Sequence, residues 1–97
     1  MMRKLLVLLL AFSLLSFFAS GCAYYRAEKE MKNAQALVND LKAQGGDKKV
    51  PYEYTSAEKL LEISRMEFDE YDYLGAEKFA IRSKSAAQAG LSEAKKK

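Results

Sequence analysis

Between Ala76 and Ala94 the chain puts a small residue at every inward step of a helix. The positions are Ala76, Ala80, Ser83, Ala87, Gly90 and Ala94, spaced 4, 3, 4, 3, 4. That spacing follows one face of an α-helix, and a seam this small lets a neighbouring backbone approach closely. A second stripe runs through Tyr24, Ala27, Met31, Ala34, Val38 and Leu41, and Leu37 widens it. A third runs through Ala57, Leu61, Ser64 and Phe68, with Leu60 beside it. Phe79, Ile81 and Leu91 add bulk on either side of the small seam. The expected fold class is all-α.

Punctuation between the stripes sets the boundaries. The first helix is expected over about 24–43, closed by Gly45-Gly46, with a linker over about 45–53. Pro51 cannot sit inside a helix but is welcome just before one. The second helix then starts near Thr55 or Ser56, where Glu58 completes a capping box with Thr55, and runs over about 55–69. Glu70-Tyr71-Asp72 forms a short turn, and Asp72 can cap a third helix over about 73–94. So short a connection makes the last two helices an antiparallel hairpin. Gly90 costs about 1 kcal/mol relative to Ala, so fraying is expected beyond it. The first helix must pack back on the hairpin or pair elsewhere.

The N-terminal region has a different design. Arg3 and Lys4 precede an uncharged apolar run from Leu5 to Phe18, followed by Ala19-Ser20-Gly21-Cys22. A basic start, an apolar middle and a small-residue cleavage site are the parts of a secretion signal. The final four residues resemble the bacterial lipobox, with Ala19 in place of the commoner Leu. The resemblance implies that residues 1–21 are removed as a lipoprotein signal peptide. Cys22 then carries a thioether-linked diacylglyceryl group and an N-acyl chain such as palmitate. Two or more acyl chains hold a protein stably at a membrane. A membrane-spanning helix is the competing reading of the uncharged stretch from Leu5 to Tyr25, but its polar and small residues collect at the Cys end. Ala23, rather than Asp, follows the cysteine. By similarity to Gram-negative sorting rules, this implies a periplasm-facing place in the outer membrane.

Removal of residues 1–21 from the 97 leaves a domain of 76 residues, 22–97. A domain that small often leans on a partner, an oligomer or a membrane. Of 16 Lys and Arg, Arg3 and Lys4 leave with the signal, so 14 face 13 Asp and Glu. That near-neutral balance gives no support for nucleic-acid binding. The chain has no His and one Cys. Ser56, Ser64, Ser83, Ser85 and Ser92 therefore have no His to activate them, and Cys22 is committed to lipid. No catalytic residue is assigned, and the chain is read as a non-enzyme. Glu67, Asp69, Glu70 and Asp72 form an acidic cluster, but their spacing matches no calcium loop. They read as a solvated turn, and neither metal nor cofactor is expected beyond the lipid.

Pro51-Tyr52-Glu53-Tyr54, Ala57-Glu58-Lys59-Leu60 and Asp72-Tyr73 with Ala76, Ala80 and Ala87 resemble a family of short helical envelope lipoproteins of unknown function. The resemblance spans about Ala34 to Ala94 and implies fold and location, not mechanism. Some members carry this module ahead of an outer-membrane-protein-A-like domain. Asp72-Tyr73 and Ala76 also resemble part of a tetratricopeptide repeat, but no second copy follows at the required period.

Tyrosines supply the candidate binding surface. Tyr52, Tyr54, Tyr71 and Tyr73 bracket the hairpin and either close its ends or bind a partner. Tyr24 and Tyr25 follow the lipid directly, as an interfacial rest or as part of a flexible tether. The expected function is a lipid-anchored helical interaction or scaffold module that docks on another envelope protein or self-associates. The alternative is a structural tether from outer membrane to peptidoglycan. Lys97 carries it, because the murein lipoprotein, similar in size and anchor, is joined to the cell wall through its last Lys. This chain departs from that rod at Gly45-Gly46 and Asp72.

Overall fold

The computed structural model describes the backbone of residues 1–97 and the side chains of all but residues 16–20. It is all-α, with α1 (Met2–Ala43), α2 (Gly46–Lys49), α3 (Pro51–Asp69) and α4 (Tyr73–Lys96). No strand occurs among the described residues. The expected hairpin is α3 and α4, and α1 packs back onto it, chiefly along α4.

Pairings across the helices give their directions. Arg26 meets Glu77, Glu30 meets Lys84, and Leu41 packs with Ala94. Both numbers rise together, so α1 and α4 run parallel. Ser64 meets Ala76 and Ser83 meets Ala57, so α3 runs antiparallel to α4. The Cys22 end of the bundle therefore holds the start of α4 and the end of α3. The opposite end holds α2, the start of α3 and the C-terminus.

The small seam does what its spacing implies. Ala76, Ala80, Ser83, Ala87, Gly90 and Ala94 are all buried. Ala34, Val38, Ala57, Leu61 and Ala87 form the central core, and Leu41, Val50 and Ala94 form a second cluster at the far end. Two buried serines stitch the hairpin in both directions. Ser64 Oγ donates to the Ala76 carbonyl at 2.5 Å, and Ser83 Oγ donates to the Ala57 carbonyl at 2.6 Å. A buried hydroxyl must be satisfied, and the close approach brings a backbone acceptor within reach of each.

Four expected boundaries need correction. The first helix does not start at residue 24, because α1 runs unbroken from Met2. The linker over 45–53 is mostly helical: α2 fills Gly46–Lys49, and α3 begins at Pro51. Proline suits the first helical position because its missing N–H would be unpaired there anyway. Thr55 and Ser56 consequently lie inside α3 and cap nothing, and Val50 takes the cap position with its side chain buried. Beyond Gly90 the helix continues to Lys96. Gly90 is not a weak point but a contact: a Cβ there would lie 2.8 Å from Leu41 Cδ2 and 3.1 Å from Glu53 Cβ.

Candidate functional site

The cysteine end is built from α1 and the α3–α4 turn. Cys22 is exposed, and Ala23 beside it is already buried against the bundle. Tyr24 is not part of a flexible tether: it is helical and packs into an aromatic cluster. Its ring centroid lies 5.0 Å from Phe68 and 5.2 Å from Tyr73, and Phe68 and Tyr73 are 5.1 Å apart. These separations and their tilted or edge-on angles are those that aromatic pairs favour. Tyr25 is 71% exposed.

The turn is a Schellman motif. Asp72 N–H donates to the Glu67 carbonyl at 2.9 Å and Tyr71 N–H donates to the Phe68 carbonyl at 3.0 Å. The residue between these bonds must be left-handed, and glycine is its usual occupant. Here it is Tyr71, with φ of 67°. A side chain in that conformation costs about 1–2 kcal/mol. The ring of Tyr71 stands 80% exposed, edge-on to Tyr73 at 6.4 Å. Leu74, one step past Tyr73, is 65% exposed.

Asp72 caps α4 as expected, with Oδ1 accepting the Gly75 N–H at 2.9 Å. That donor, and next to it Glu67, holds the Asp72 carboxyl below its ordinary value. Glu67 faces Asp72, and the hydrogen bond between their carboxyls is the main reason Glu67 is raised. The two shifts act on stability in opposite directions. The raised Glu67 contributes fully below its ordinary 4.5, and that contribution is lost as pH rises through its folded value. The lowered Asp72 contributes above its ordinary 3.8, and that contribution is lost as pH falls through its folded value. The pair therefore favours the fold most between these values. Urea midpoints measured across pH are expected to decline on both sides, and Glu67→Gln is expected to remove the decline on the alkaline side alone.

Arg26 sits one turn after Cys22 and donates to Glu77 at 2.7 Å, which raises the guanidinium further. The Glu30–Lys84 ion pair, also 2.7 Å, continues the α1–α4 seam. Ser64 and Ser83 are buried and hydrogen-bonded to carbonyls. No cluster of three or more His, Cys, Asp or Glu suited to a metal occurs among the described residues.

The tyrosines expected to bracket the hairpin lie at its two ends. Tyr71 and Tyr73 join the cysteine end, whereas Tyr52 and Tyr54 lie at the far end, separated by the length of α3. Tyr52 is exposed. Tyr54 is half-buried against both core clusters and donates its hydroxyl to Glu58, which pushes its pKa up to about 12. Sequence reasoning placed Phe68 on an inward stripe but missed its aromatic partners, because Tyr24 comes from α1 and Tyr73 from across the turn; it did not single out Leu74.

Leu5, Leu6, Val7, Leu8, Leu9, Leu10, Phe12, Leu14 and Leu15 are all exposed and belong to neither core cluster. Among the described residues, no helix is long and apolar enough to cross a membrane. Of the four residues that resemble a lipobox, Gly21 and Cys22 are exposed, whereas Ala19 and Ser20 lie outside the described side chains. Lys97 is exposed at the far end, and its Nζ donates to the Lys49 carbonyl at 3.3 Å. No protein-family model, curated protein or solved structure matches this chain.

Proposed function

We propose that the chain is an envelope lipoprotein anchored by lipid on Cys22 and acting as a non-enzymatic helical interaction or scaffold module. One observation carries the reading: Ala23, next to the proposed cleavage box, is buried against the bundle, while the described apolar residues from Leu5 to Leu15 are exposed and lie outside both core clusters. A removable signal has this relation to the domain it precedes. The absence of His and the engagement of both buried serines favour a binding role over catalysis. The outer membrane, with the domain facing the periplasm, is the proposed location.

In cells fed an alkyne-bearing fatty acid, the wild-type protein is expected to carry the label. Cys22→Ser is expected to lose it and to keep residues 1–21. An unlabelled wild-type protein would remove the anchor from the proposal. A second reading has its own support. Lys97 lies at the end of the bundle opposite Cys22, directed away from the proposed anchor. A structural tether to peptidoglycan through Lys97 would use that placement. Digestion of purified cell wall tests it: a muropeptide joined to the C-terminal peptide is its signature, and absence of the adduct rejects a covalent tether.

A further inference from the structure

We infer that the cysteine end of the bundle is itself a membrane-seating surface, with Tyr25, Tyr71 and Leu74 entering the headgroup region of a zwitterionic phospholipid bilayer. The inference rests on the proposed lipid anchor at Cys22.

The first argument is the missing spacer. Ala23 is buried and Tyr24 is locked into the aromatic cluster. A lipid on Cys22 therefore holds the domain at the bilayer without slack, and side chains at the same end meet the surface. Pairing sets the level: Arg26 is opposite Glu77, so Cys22, one turn earlier, is level with Tyr73 and Leu74.

The second argument is what that end displays. Tyr25, Tyr71 and Leu74 are each more than half exposed. Tyrosine favours the membrane–water boundary, with its ring inward and its hydroxyl in the headgroups. Tyr71 adds an observation of its own. It holds a left-handed backbone position where glycine would relieve strain, and the outcome is a ring presented outward at the tip.

Charge decides the type of surface. Glu67, Asp69, Glu70 and Asp72 surround the same turn. Carboxylates attract the ammonium of ethanolamine headgroups and are repelled by anionic lipids. A zwitterionic bilayer rich in phosphatidylethanolamine is therefore the matching partner.

Cys22 is the one cysteine of the chain, and acylation consumes its thiol, so an introduced cysteine can be labelled alone. Tyr71→Cys, Leu74→Cys and the far-end control Tyr52→Cys would each be purified as full acylated protein, with circular dichroism confirming the fold. A nitroxide label would be attached, and the proteins reconstituted into phosphatidylethanolamine–phosphatidylcholine vesicles. The measurement is collision with oxygen relative to a water-soluble nickel complex. The ratio at positions 71 and 74 is expected to exceed that at 52 severalfold, and to fall when anionic lipid is added. Equal ratios at all three positions, in protein shown by mass spectrometry to be acylated, overturn the seat and leave the anchor standing. Protection that needs an added envelope protein overturns it in favour of a protein partner. Protein that carries no lipid on Cys22 overturns the anchor and the seat together.

Discussion

Leu41→Ala is expected to lower the unfolding free energy by about 2–5 kcal/mol, at the upper end of that range. Leu41 is fully buried with Val50 and Ala94 where α1, α2, α3 and α4 meet. Its side chain fills a slot lined by two glycines. A Cβ on Gly46 would lie 2.5 Å from Leu41 Cγ and 2.7 Å from the Leu41 carbonyl, and one on Gly90 would lie 2.8 Å from Leu41 Cδ2. Glycines have no side chain to collapse into the space left by the truncation, so most of the cavity remains. The 76 residues of the proposed mature domain, at about 0.05–0.15 kcal/mol each, are stable by only about 4–11 kcal/mol in all. Urea unfolding followed by circular dichroism measures the loss. Hydrogen exchange is expected to show it concentrated in α2, the first turns of α3 and the last turns of α4. A change under 1 kcal/mol would mean that Leu41 does not close this end (about 2 kcal/mol is the least such truncations cost in a packed core).

Ala87→Leu tests the opposite error, an overfilled seam. Ala87 is fully buried among Ala34, Val38, Ala57 and Leu61. Added methylenes have no space there, and overpacking costs about 1–3 kcal/mol and occasionally more. The small seam serves both α1 and α3, so a larger residue pushes two interfaces apart at once. The Ser83 hydroxyl supplies a local readout, because it is one turn earlier and donates to the Ala57 carbonyl at 2.6 Å. Adding Leu61→Ala to Ala87→Leu restores volume across the same contact. The double variant is expected to be more stable than Ala87→Leu alone, a coupling that neighbours show and distant pairs do not. Simple additivity of the two losses would argue against direct packing of these residues.

Much of this fold is legible in the sequence, since the six positions read as the inner seam of the last helix are the six that α4 buries. Periodicity reports such faces directly, because a helix repeats its environment every three to four residues. The starts and stops were less legible, for local reasons. Pro51 was read as a residue before a helix, yet proline serves equally as the first residue within one. Thr55 and Ser56 carry good capping chemistry, but Val50 has a buried place to fill, and its packing with Leu41 and Ala94 outweighs a cap. Gly90 looked like a weak link because propensity counts only its own helix. The cost is offset by Leu41 lying against it, which no scan along α4 alone can register. Asp72 was readable as a cap because its partner, Gly75, is three residues away. The aromatic cluster was not, because Tyr24, Phe68 and Tyr73 converge from three helices. The proposed lipid attachment rests on the motif alone; the fold adds only that Cys22 is exposed beside the buried Ala23.

The parallel course of α1 and α4 has a mechanical consequence. A hairpin returns to where it began, but a parallel third helix carries the chain's end away from its beginning. The 24 residues of α4 rise about 1.5 Å each, so the two ends of the bundle stand about 36 Å apart. Slack polypeptide would let that distance fluctuate with every thermal kick. Helical hydrogen bonds and a buried seam of small residues instead make it a length of fixed value, so that whatever contacts one end has its height set by the other.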